Sequence, residues 1–132
     1  MYTLRSPADA YRKVDFDARI AGAGPGQLVL VCYEQLAAAL GGAIHAAAAP
    51  DNSRKSASLT RALAALTALQ MGLDRGQPIS VALSTVFEAA RHTVLDSVIQ
   101  FDPDAIGRLR SDVSEIAAAL QAAPDNSNLV QS

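Results

Sequence analysis

The sequence predicts an all-α protein, an antiparallel four-helix bundle with a short N-terminal helical arm. Three observations carry this. Alanine supplies 27 of the 132 residues while aromatic residues reach only 5%, and alanine is the best helix former and is depleted in strands. Breaks rich in proline, glycine and small polar residues leave four segments of roughly 20 residues, a common helix length in bundles. Inside each segment apolar residues recur every three or four positions, the period of a helix with one buried face.

The breaks are Gly22-Ala23-Gly24-Pro25-Gly26, Ala49-Pro50-Asp51-Asn52-Ser53, Arg75-Gly76-Gln77-Pro78 and Phe101-Asp102-Pro103-Asp104, with a polar tail from Pro124. The first segment carries Leu28, Cys32, Leu36, Leu40 and Ile44 at i, i+4 spacing. Read alone, Leu28-Val29-Leu30-Val31 could be a strand, but its alanine-rich continuation is too long for one. Gly41 and Gly42 weaken this helix, each by about 1 kcal/mol relative to alanine, and imply a kink or close approach of another backbone. The second segment reads Leu59, Leu63, Leu66, Gln70 and Leu73, a stripe with one polar slip. The third predicts a buried stripe of Ile79, Leu83, Val86, Phe87, Ala90, Val94, Val98 and Phe101. In the last, Ile106, Leu109, Val113, Ile116 and Leu120 step by three and four throughout.

Local signals place the helix starts. Asp102 before Pro103 is an N-cap followed by proline at N1, and Asp51 or Ser53 caps the second helix. Short connections make neighbouring helices antiparallel. The expected organisation is an arm at residues 1–21, a bundle at 22–123 and a flexible tail at 124–132. The arm brings Leu4, Tyr11, Val14, Phe16 and Ile20 and is too short to fold alone, so it must dock on the bundle or on a partner.

Composition bounds the function. A length of 132 fits one domain, and an apolar half of the residues excludes general disorder. A net charge of −2 gives no basic footprint for nucleic acid. The single cysteine suits a reducing compartment. The N-terminus has no signal-peptide core, since charged residues interrupt it. Residues 28–49 are long enough to span a bilayer, but their alanine content and Glu34 favour a buried helix, so no membrane insertion is expected.

The catalytic and metal-binding patterns fail one by one. Glu34, Glu88 and Glu115 fall on three different segments, yet a di-metal bundle needs Glu-x-x-His pairs, and position i+3 holds Ala37, Arg91 and Ala118. His45 and His92 sit apart, and Cys32 reads as a small core residue. Gly22, Gly24 and Gly26 follow no strand, so they make a hinge rather than a phosphate loop. Arg54, Lys55, Arg61, Arg91, Arg108 and Arg110 read as solvated helix faces. No enzyme, no metal and no cofactor is expected. What remains is surface: an alanine-rich bundle offers low-relief grooves, and a helix-in-groove partner needs apolar anchors at i, i+3, i+4 and i+7.

Ala10-Tyr11, a spacer, and Gly24-Pro25-Gly26-Gln27-Leu28-Val29-Leu30-Val31-Cys32-Tyr33-Glu34 resemble the opening of the flagellar secretion chaperone family FliS. Leu83-Ser84-Thr85-Val86-Phe87 is similar to its third long helix, and Asp104, Ile106, Leu109 and Arg110 to its last. The chain departs from the family pattern at Gly24, Cys32, Phe87 and Ala89, and has no tryptophan. The resemblance implies a cytoplasmic type III export chaperone that binds the disordered C-terminal region of flagellin, folds it as helices on the bundle, prevents premature polymerisation and delivers it to the flagellar export gate. It assigns partner binding to Tyr11, Pro25, Leu28, Cys32 and Tyr33, with Tyr11 in an arm that lies over the binding surface. Core packing is the alternative for these residues. The alternative for the whole chain is a structural bundle that homodimerises through an apolar stripe.

Overall fold

A computed structural model describes residues 25–122. The expected arm and tail lie outside these residues. The described chain forms α1 (Pro25–Ala48), α2 (Asn52–Met71), α3 (Pro78–Ile99) and α4 (Pro103–Ala122), in the order and number that the periodicity predicts. Pro25 opens α1, so the first break ends one residue before its Pro-Gly pair, and 28–31 is helical.

The caps follow the sequence signals. The Asp51 carboxylate accepts the Arg54 N–H at 3.0 Å at the head of α2. Asp102 accepts the N–H groups of Asp104 and Ala105, both at 3.1 Å, at the head of α4. Each satisfies donors that a helix start leaves without an intrahelical acceptor.

The helices do not share the core equally. α1 packs extensively on α2 and on α4, whereas α3 meets α2 over a smaller area and α4 over a smaller one again. Leu36, Leu40, Leu59, Leu66, Val94 and Ile106 are sealed inside, with Ala39, Ala43, Ala62 and Ala65 filling the narrow spaces between helices. Small residues allow this close approach, and methyl-lined contacts keep the interior dense. α1 is long and apolar enough to cross a membrane, with mean hydropathy 1.4 from Gly26 to Ala48. Val31, Tyr33, Leu36, Leu40 and Ala43 of that stretch build the bundle core.

Gly41 and Gly42 of α1 receive side chains rather than a backbone, and the helix continues through them. A Cβ at Gly41 would lie 3.0 Å from Arg110 Nε of α4, and one at Gly42 would lie 3.0 Å from Ser58 Oγ of α2. Gly41 and Gly42 thus admit a neighbour from each of the two helices that flank α1.

The third stripe needs correction. Phe87, Ala90 and Val94 are buried as expected, but Ile79, Val86 and Val98 are 62%, 52% and 56% exposed. The other inward positions on α3 belong to Ser80 and Ser97. The apolar period of α3 identifies a helix correctly but covers more of its circumference than the bundle buries.

Candidate functional site

α3 concentrates the exposed apolar surface. Ile79, Val81, Val86, Leu95, Val98 and Ile99 all lie on it with at least two fifths of their area accessible, and Met71 just ahead of it is also exposed. Ile79, Ala82, Val86 and Ala89 are spaced by three, four and three residues and are all exposed. Such a ridge is flat because alanines separate its two branched side chains, and it matches the spacing by which apolar helices are recognised. Ile79 and Val86 share one side of the helix, whereas Val81, Leu95 and Ile99 lie on the other.

The opposite flank of α3 exposes Val81, Leu95 and Ile99 but is tied to α2 by polar side chains. The Gln70 side chain on α2 accepts a hydrogen bond from Arg91 and donates one to Glu88 at 2.8 Å. Arg91 also donates to Thr67 at 2.9 Å. Glu88 and Arg91 stand one turn apart, 4.0 Å between carboxylate and guanidinium. At 100° per residue this clamp lies about half a circle from the Ile79–Val86 ridge. Gln70 is the polar slip in the α2 stripe; the sequence reading missed its role, and Arg91 is not a freely solvated cation. The signal was a stripe position occupied by an amide, opposite an acid and a base spaced i, i+3.

The positions that the resemblance assigned to partner binding are distributed unevenly. Tyr11 lies outside the described residues, and Pro25 is the first residue of α1. Leu28 and Cys32 are partly exposed near the head of α1, one turn apart on one face. Tyr33 is buried, its ring 6.2 Å from that of Phe87 on α3 and inclined at 50°. That separation lies within the range of favourable aromatic pairs, so Tyr33 is the bridge between α1 and α3.

Burial pushes both the Cys32 thiol and the Tyr33 phenol above their ordinary pKa values. For Cys32 this is the reverse of activation, which requires a stabilised thiolate. His45 and His92 are exposed. Among the described residues no group of three His, Cys, Asp or Glu side chains gathers as a metal centre would require. Among the described residues the prominent surface feature is the exposed apolar area of α3.

A search of curated proteins finds no match. The family model described as flagellar protein FliS matches residues 7–127, spanning all four helices and nearly the whole chain. With the bundle fold and this coverage, the chain belongs to the flagellar protein FliS family, a family of flagellar export chaperones.

Proposed function

We propose that this chaperone acts in the cytoplasm on flagellin, binding its disordered C-terminal region, ordering that region as helices against the bundle, blocking premature polymerisation and passing it to the flagellar export gate. The observation that carries the reading is the apolar ridge of α3, which none of the other described helices covers, with Ile79 and Val86 exposed on it. A disordered segment that folds on such a surface buries about 1,000–3,000 Å² and offsets about 2–5 kcal/mol of ordering cost. Leu28 and Cys32, partly exposed, add docking area at the head of α1, and the family resemblance adds Tyr11 and Pro25 to the partner-binding residues. Tyr33 acts there from beneath, holding α1 and α3 at a fixed spacing through Phe87.

The test is titration of the full chain with a flagellin C-terminal peptide, followed by calorimetry at several temperatures and by circular dichroism. Association at micromolar concentration, with induced helicity and a negative heat-capacity change, is the expected result. No association would reject the reading. Self-association of the chain without peptide would favour the homodimer instead, with the α3 ridge facing its own copy.

A further inference from the structure

We infer that α3 opens from the bundle as a unit of its own, and that the Gln70–Glu88–Arg91 clamp sets how often it does so. Four observations converge. Of the five buried positions on α3, two are serine and one is alanine, leaving Phe87 and Val94 as the large side chains wholly inside. The six large apolar residues it exposes contribute little to holding it. Its N-cap residue, Gln77, makes no side-chain capping bond, unlike Asp51 of α2 and Asp102 of α4. Beside the few apolar contacts of Phe87, Ala90 and Val94, its attachments are polar: Ser80 Oγ donates to the Asp74 carbonyl, Ser97 Oγ accepts the Asp102 N–H at 3.4 Å, and Arg91 and Glu88 hold Gln70. Such bonds contribute about 0.5–1.5 kcal/mol each, so they tune the opening of α3 without making it as hard to open as a helix held by extensive apolar burial. Regions with little buried apolar contact open below the free energy of global unfolding. The remaining helices form a closed unit meanwhile, because α1 packs on both α2 and α4 and its core residues Leu36 and Leu40 are sealed. Opening adds the inner face of α3, with Phe87 and Val94, to its exposed ridge, whatever the identity of the partner.

Native-state hydrogen exchange of the full chain at increasing denaturant tests this. Amides of residues 87–94 are expected to exchange at least about tenfold faster than those of residues 36–43, with a smaller dependence on denaturant. Val113→Ala should accelerate exchange in α1 and leave α3 unchanged, since that substitution lies in the unit that stays closed. Ile116→Val serves if the first variant does not fold. Arg91→Ala should accelerate exchange in α3 by about tenfold. Equal rates and equal denaturant slopes for α1 and α3, or equal acceleration of both by Val113→Ala, would overturn the separate opening. Unchanged α3 exchange in Arg91→Ala would overturn the clamp.

Discussion

At the scale of single residues, three glycines predict opposite outcomes for one substitution. Gly107 is interior to α4 and a Cβ there meets nothing within 4 Å, so Gly107→Ala should add about 1 kcal/mol of stability through helix propensity alone. Gly41→Ala keeps part of that gain, since the group it presses is the distal part of the flexible Arg110 side chain. Gly42→Ala presses Ser58, whose hydroxyl is buried and accepts a hydrogen bond from Arg61 at 3.0 Å, and should be the least stable of the three. Urea midpoints of the variants check this order. Cys32 gives a second prediction, of pH dependence. Its folded pKa is raised by burial, so the unfolded chain ionises first. Its contribution to stability is full below the ordinary thiol value, about 8.5, and is lost as pH rises from there through the folded value. Wild type should therefore lose stability relative to Cys32→Ala as pH rises above about 8.5; a difference constant with pH would contradict the assignment.

At the scale of elements, α3 separates stability from binding. Ile79→Ser with Val86→Ser alters exposed positions, so unfolding free energy should change by no more than about 0.5 kcal/mol per site, while affinity for a flagellin C-terminal peptide should fall at least about tenfold. Phe87→Ala should instead cost about 3–5 kcal/mol by emptying the space beside Tyr33. Thermal melting and peptide titration of both variants distinguish the two faces. The same helix shows where the sequence is legible and where it stops. Asp51 and Asp102 are readable as caps because capping is settled within four residues of chain. The existence of α3 is readable because a helix needs only a periodic pattern. Which apolar face turns inward is decided by α2, a neighbour remote in sequence, and α2 meets α3 through Gln70 and Thr67. Beside that contact Ile79 and Val86 are exposed while Ser80 and Ser97 are buried, against their chemistry. The docking ridge was legible only as a surplus of apolar positions, without its location.

At the scale of the molecule, the question is whether the segment ahead of α1 is needed to complete the fold. The core answers from its own composition. Leu36 and Leu40 of α1, Leu59 and Leu66 of α2, Val94 of α3 and Ile106 of α4 are all less than 2% exposed, so each helix contributes at least one sealed side chain. Antiparallel neighbours joined by links of three to six residues, 49–51, 72–77 and 100–102, hold these groups together at little loop-closure cost. Lys55 at the head of α2 lies 5.6 Å from the Phe101 ring in the last link, which ties the far end of the bundle across its width. Deleting residues 1–20 should therefore preserve helicity per residue and a single cooperative melt. A chain that loses its cooperative transition on this deletion would show that the leading segment completes the core rather than serving the partner. If the melt survives, peptide affinity measured on the same truncated chain reports how residues 1–20 act. Tighter binding would mean that they compete for the apolar ridge, and weaker binding that Tyr11 and its neighbours form part of the partner's site.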